Sequence, residues 1–205
     1  MSSFLDSKSK TPGRLVGRPI GSGGKAPALT PVQLRTLFLV AGSSGPQGVR
    51  NVAFLSILAC GCRVSEPCTL TVADVLDPKG RVAESFVLKA SNTKNKKFRR
   101  VYLNAFALQS LKAYIVSLGE VAGTERLFPL NINYATQLVR KIMHDSGIKT
   151  SSHALRRTCA TMMSENCVSV RTIMEVLGHA SLATTQVYLE TSPANISKAI
   201  NNLKW

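Results

Sequence analysis

The sequence predicts a mainly α-helical domain with a small antiparallel β-sheet, an α+β arrangement. Three observations point to it. Several stretches repeat apolar residues at helical spacing between start and stop signals. One pair of stretches, 81–88 and 98–103, instead alternates apolar and polar residues around a turn rich in Asn and Lys. Hydrophobic residues make up 44% of the 205 positions, enough to bury one sizeable core.

Residues 1–27 carry five Lys/Arg, one acid (Asp6) and several Gly and Ser, with too few large apolar residues to pack. Residues 1–29 are therefore expected to form a flexible basic arm. Within it, Gly17-Arg18-Pro19 resembles the core of a minor-groove AT-hook, with Val16 where an arginine is usual. Thr30-Pro31 then opens a helix: threonine caps it and proline suits its first position. Leu34, Leu37, Phe38 and Val40 give its apolar face, and Gly42 closes it. A second helix is expected over 47–60, with Val52, Phe54, Leu55, Ile57 and Leu58 inward. The strands 81–88 and 98–103 follow. Next come a helix over 104–118, capped by Asn104 and closed by Gly119, and another over 132–146 ending at Gly147. Residues 193–205 form a short amphipathic helix with Ile196, Ile200 and Leu203 on one face.

The net charge is +15, from 26 Lys+Arg against 11 Asp+Glu. That excess suits a polyanion: nucleic acid first, an anionic membrane surface second. No apolar run approaches the roughly 20 residues of a membrane span, and no signal-peptide core opens the chain. A soluble, cytoplasmic protein is expected. Five cysteines (Cys60, Cys62, Cys68, Cys159, Cys167) are an odd number in apolar surroundings. They read as reduced, buried thiols rather than a disulfide framework. No second Cys or His pair completes a tetrahedral set with Cys60, Cys62 and Cys68, so no metal is expected.

The chemistry-bearing residues concentrate late. His153-Ala-Leu-Arg156 puts a histidine and an arginine three apart, on one face of a helix over 152–165. Leu177-Gly178 is where a further helix stops, and His179 follows it. Tyr188 lies nine residues on, in a second short helical stretch. Earlier, Gly61-Cys-Arg63-Val-Ser-Glu66 follows the second helix; by composition alone Arg63 is a surface arginine. Pro67 is expected to hold Glu66 in extended geometry. Residues 89–100 hold six basic residues and no acid, which alone suggests a solvated hairpin tip.

Taken in order, these motifs resemble the tyrosine recombinases, also called the phage integrase family. The resemblance covers about residues 30–190 and implies that family's catalytic-domain fold. Its first catalytic arginine sits in a G-x-R-x-S-E pattern, which here is Arg63, with Glu66 as the buried carboxylate that orients local structure. The family's hairpin lysine falls at Lys94, counting back from Arg99-Arg-Val-Tyr-Leu103, with Lys96 and Lys97 as alternatives. His153, Arg156 and His179 complete the phosphate-binding set, and Tyr188 is the nucleophile. Arg18, Lys89, Lys96, Lys97, Arg99, Arg100 and Arg157 are expected to contact DNA. Three places depart from the pattern: Pro67 stands where a leucine follows the glutamate, Arg157 replaces a common histidine, and Leu189-Glu190 follows the tyrosine where Y-x-H is frequent.

The implied reaction fits these residue types. Two arginines hold the non-bridging oxygens of a phosphodiester bidentately and stay charged at any working pH. They stabilise charge where a metal otherwise would. Histidines donate hydrogen bonds or move protons. Tyr188 attacks phosphorus and leaves a 3′-phosphotyrosine link, while Lys94 protonates the departing 5′ oxygen. The link conserves the energy of the broken bond, so no cofactor is required. The resemblance further implies double-stranded DNA as partner, a tetramer on paired sites, accessory DNA-bending proteins, and a prokaryotic or viral origin. It divides the chain into an arm (1–29), a catalytic domain (30–192) and a C-terminal helix (193–205) that docks on a neighbouring protomer. Most members carry a further DNA-clamping domain; with only residues 1–29 ahead of the catalytic domain none is expected here, a resemblance to the short fimbrial-type DNA invertases. Relaxation of DNA by a type IB topoisomerase-like enzyme, and DNA binding without catalysis, are the alternative functions.

Overall fold

In this computed structural model the described residues are 26–90, 93, 98–179, 181, 185, 196–197 and 200–201. Expectations for Arg18, Lys94, Lys96, Lys97, Tyr188, the arm through residue 25, and most of 193–205 fall outside them. Six α-helices, three short 3₁₀ turns and one two-stranded sheet are found among the described residues.

Helix α1, Pro31–Gly42, begins where Thr30 predicts. The Gln33 N–H donates to Thr30 Oγ1 (3.2 Å) and the Thr30 N–H donates to Gln33 Oε1 (2.9 Å), a reciprocal capping box. Helix α2, Gly48–Ala59, is the central element and packs on both α1 and the later α3 and α5. Its Phe54, Leu55, Ile57 and Leu58 are fully buried, as the sequence predicts, whereas Val52 is only half-buried. Helix α3, Ala105–Leu118, and helix α4, Ile132–Asp145, start at Asn104 and Asn131, whose side chains accept from Ala107 and Tyr134 N–H groups. Between them Phe128 joins the layers. Its ring stacks on Tyr114 (5.2 Å) and meets Phe54 edge-on (5.1 Å), while the Tyr114 hydroxyl donates to the Leu127 carbonyl. Helix α5, His153–Glu165, and helix α6, Val170–Leu177, share a smaller cluster of Ala160, Ile173 and Leu177.

Strands β1, Ser85–Leu88, and β2, Arg99–Tyr102, pair antiparallel with Phe86 opposite Val101 and Leu88 opposite Arg99. The first strand is shorter than the predicted 81–88. Arg81 to Ala83 turn back onto 75–77 instead: Asp77 N–H donates to the Arg81 carbonyl and Ala83 N–H to the Val75 carbonyl. The Asp77 carboxylate fixes that turn by accepting from Lys79 and Arg81 backbone N–H groups and from the Arg81 guanidinium.

The thiols also need one correction. Cys60, Cys62 and Cys68 are buried and Cys159 partly so, but Cys167 is exposed, in the turn after α5 with φ of 58°. Among the described residues no helix is long and apolar enough to cross a membrane.

Candidate active site

The site forms where the ends of α2 and α6 meet β2 and α5. Helix α2 stops at Cys60, and Gly61, at φ +92°, turns the chain into the segment that carries Arg63 and Glu66. Glu66 closes this segment upon itself. Its Oε2 accepts the Arg63 backbone N–H (2.7 Å) and its Oε1 accepts Arg63 Nη1 (2.7 Å). Glu66 is 1% exposed while the Arg63 side chain keeps 23% exposure, so the carboxylate is a buried support and the guanidinium faces outward. The expected extended geometry at Glu66 is not found: its backbone is right-handed helical (φ −69°, ψ −50°), and Pro67 opens a 3₁₀ turn, Pro67–Thr69. The Glu66 side-chain bonds hold the bend against the usual steric preference before proline.

Arg156 comes from the first turns of α5 and is 5% exposed. One of its Nη groups donates to the Gly61 carbonyl and the other to the Leu177 carbonyl, so it bridges the ends of α2 and α6. Arg99 enters from β2. It pairs with Glu66 and donates to the Val176 carbonyl. The C-terminal carbonyls of α6, the negative end of its dipole, are thereby covered by two cations. Gly178 then adopts the left-handed conformation (φ 61°, ψ 45°) and delivers His179. His179 Nδ1 lies 2.9 Å from Thr185 Oγ1.

Three guanidiniums against one carboxylate leave a net positive site, suited to an anion. The charges act on one another. Arg156 is pushed down to about 10, by burial first and then by Arg63 and Arg99, and remains a cation at neutral pH. His179 is pushed down to about 4, by burial first and then by Arg156, Arg63 and Arg99, and is therefore neutral there. A neutral imidazole offers one donor and one acceptor nitrogen. Burial also raises the Cys62 thiol beside them to about 12, so it stays protonated. In front of these groups opens a cleft of about 1170 Å³, whose wall includes Arg63, Arg100, Tyr102, Arg171 and His179.

Of the predicted residues, the fold brings together Arg63, Glu66, Arg156 and His179. His153 stands exposed at the start of α5, one turn before Arg156. Arg157 is half-buried. Lys89 is exposed and pairs with Asp74 at 3.2 Å, and Arg100 is exposed with Nη1 donating to Ser85 Oγ (3.1 Å). Arg99 requires correction. It is 7% exposed and turned inward, so it lines the cleft as a buried residue and is not the exposed strand residue expected from the sequence. The strand alternates with a period of two, so a buried Val101 places Arg99 on the inner face and Arg100 on the outer. That signal was present in the sequence. Thr185, the partner of His179, had no such signal.

The phage integrase family model matches residues 27–195. A tyrosine recombinase of Pseudothermotoga lettingae is 37% identical over 161 residues, 75% of this chain and 54% of that protein. Tyrosine recombinase XerA of Thermococcus onnurineus is 33% identical over 156 residues, 73% of this chain and 53% of its own. The chain thus spans about half the length of the curated relatives it matches. Among solved structures, the XerA recombinase superposes with a TM-score of 0.68 at 25% identity, covering 87% of this chain and 65% of that one. The XerH recombinase bound to its palindromic difH substrate gives 0.66 at 26% identity, covering 88% and 54%. The catalytic domain of bacteriophage HP1 integrase shares the fold (0.64, 23% identity) over 87% of this chain and 95% of its own. Because the family match takes in the segments bearing Arg63, Arg156 and His179 and the backbone follows these catalytic domains, the chain belongs to the phage integrase family.

Proposed function

We propose that this chain carries out site-specific DNA recombination, cutting and rejoining double-stranded DNA through a 3′-phosphotyrosine intermediate. The observation that supports this best is the convergence of Arg63 and a neutral His179 on the wall of one basic cleft, with the buried Arg156 close enough to depress the His179 imidazole. A phosphodiester in that cleft meets permanent positive charge, which favours the negative charge that builds on its non-bridging oxygens as phosphorus becomes five-coordinate. Glu66 keeps Arg63 in place and does not itself face the cleft. His179 and the exposed His153 supply hydrogen bonds to the phosphate or proton transfer to the reacting oxygens. Tyr188 Oη attacks phosphorus, the bond to the 5′ oxygen breaks, and Lys94 gives that oxygen its proton. Religation is the reverse with a different 5′ hydroxyl.

The same reading gives the chain its finer organisation: arm 1–29, catalytic domain 30–192, and a C-terminal helix that docks on a neighbouring copy. Exposure of Ile196 (55%) and Ile200 (61%) supports the last point, because both belong to that helix's apolar face. A tetramer on paired sites, accessory DNA-bending proteins and action on DNA in the cytoplasm follow from recombination as the activity.

The test is covalent trapping. Nicked duplexes drawn from DNA flanking the coding sequence are incubated with wild type and with Tyr188→Phe. Wild type is expected to form an adduct at defined positions, and the variant none, with DNA binding nearly unchanged. Adducts at sequence-indifferent positions would indicate relaxation instead. Normal adduct formation by the variant would move the nucleophile elsewhere.

A further inference from the structure

We infer that Arg99 is a positioning residue of the site: its buried guanidinium joins the Glu66 carboxylate to the last turn of α6, so that the Arg63 segment and the His179 turn are held as one unit. The inference concerns how the site is built, and only its consequence for DNA cleavage rests on the recombination reading.

Four observations carry it. First, Arg99 touches both halves of the site. One Nη pairs with Glu66, whose other oxygen accepts from Arg63 Nη1 at 2.7 Å, and the second Nη donates to the Val176 carbonyl. Second, its stem lies against Gly178. A Cβ added there would stand 2.6 Å from Arg99 Cδ and 3.0 Å from Nε, so the residue before His179 packs directly on this side chain. Third, the Arg99 side chain is only 6% exposed, so although it lines the cleft most of its surface is spent on protein contacts. Its Nε is buried and without a hydrogen-bond partner among the described residues, so the side chain is fixed by its two Nη groups. Fourth, Arg99 is the only one of the three arginines to contact both Glu66 and α6: Arg63 is bonded to Glu66, and Arg156 to the backbones of Gly61 and Leu177.

A guanidinium can serve two acceptors in different directions, which a single ammonium on a flexible stem does poorly. Arg99→Lys therefore keeps the charge and loses the bridge. Arg99→Met keeps much of the stem against Gly178 and loses both charge and bridge.

The experiment reads the site without DNA. The full chain, labelled on its histidine rings, is titrated by NMR as wild type, Arg99→Lys and Arg99→Met, with thermal melts on each. Among the described residues, Arg156, Arg63 and Arg99 are the charged groups that act on His179, and Glu66 pairs with Arg63 and Arg99. In the folded variants the His179 ring resonance is expected to shift, and its titration to rise from about 4 toward 6.5. The rise should be larger for Met than for Lys, with His144 unmoved as an internal control. A fall in melting temperature with His179 unchanged would overturn the inference, because that is what a purely structural arginine would do. If neither variant folds, the wild type still decides. A bridging Arg99 guanidinium should show slowly exchanging Nη protons at neutral pH, and fast exchange with free rotation would overturn it. Adduct formation on nicked DNA is measured alongside. No adduct from wild type would sink the recombination reading and leave the His179 result standing. Normal adduct yield from variants whose His179 has shifted would overturn the functional consequence alone.

Discussion

His179 enters the site without a proton at neutral pH. Its ordinary value of 6.5 falls to about 4 through burial and the three arginines around it, so in the folded chain it charges only in strong acid. The unfolded chain binds that proton near the ordinary value. Between the two, the unfolded state holds more protons, so stability rises with pH across that window and acid erodes it. The contribution is fully present above pH 6.5 and lost as pH falls through about 4. Denaturant midpoints for wild type and His179→Asn should therefore converge in acid, with the variant showing the shallower pH dependence between pH 4 and 6.5. Equal slopes would mean that the imidazole is solvated and not desolvated by its neighbours. The resemblance supplied His179 as a phosphate ligand, but its protonation state was not legible from sequence. It depends on Arg99, which lies eighty residues away and comes close only through the turn of β2 toward α6.

At the scale of elements, the ends of helices decide the geometry, and they were the most legible features. Thr30 and Asn104, both named from the sequence, each cap a helix through a bond to a residue three along, a local interaction that a short window of sequence contains; Asn131, not named there, does the same for α4. The segments that escaped are those whose conformation is fixed by side chains reaching back. Glu66 bends before a proline because its carboxylate grips the Arg63 backbone, and Arg81–Ala83 leave the strand because Asp77 captures them. The stop of α6 tests how far a glycine is required by backbone and how far by packing. Gly147 and Gly178 both follow helices with positive φ, of 74° and 61°. An added Cβ at Gly147 meets nothing within 4 Å, whereas at Gly178 it meets Arg99 at 2.6 Å. Alanine at either site should cost about 1–2 kcal/mol for the left-handed backbone. Gly178→Ala should cost more than Gly147→Ala by chemical denaturation, and should also perturb the His179 resonance. Equal losses would show that Arg99 yields freely.

The whole molecule presents a basic chain whose described part begins beside α5. Leu29 is 5% exposed, and its N–H donates to Thr158 Oγ1 (2.8 Å) on α5, the helix that carries His153 and Arg156. Thr158 in turn donates to the Ala154 carbonyl (2.7 Å), so the root of the N-terminal segment is anchored to that helix from within. Five Lys/Arg and one acid precede this anchor. We propose that they neutralise DNA phosphates beyond those held at the cleft. Each phosphate neutralised releases counterions and steepens the fall of log affinity with log salt by about 0.9. Deletion of residues 1–25, which stops short of Leu29, should weaken binding to duplex DNA and flatten the slope by about 0.9 for each phosphate that the segment had neutralised. The thermal melt should be unchanged, because the Leu29 anchor is retained. A salt titration of affinity, full-length against truncated protein on one duplex, measures the number of those phosphates directly. Identical slopes would mean that the segment does not touch phosphate. A truncated protein that melts markedly lower would mean that part of it belongs to the core, and that the boundary lies earlier than the Leu29 anchor implies.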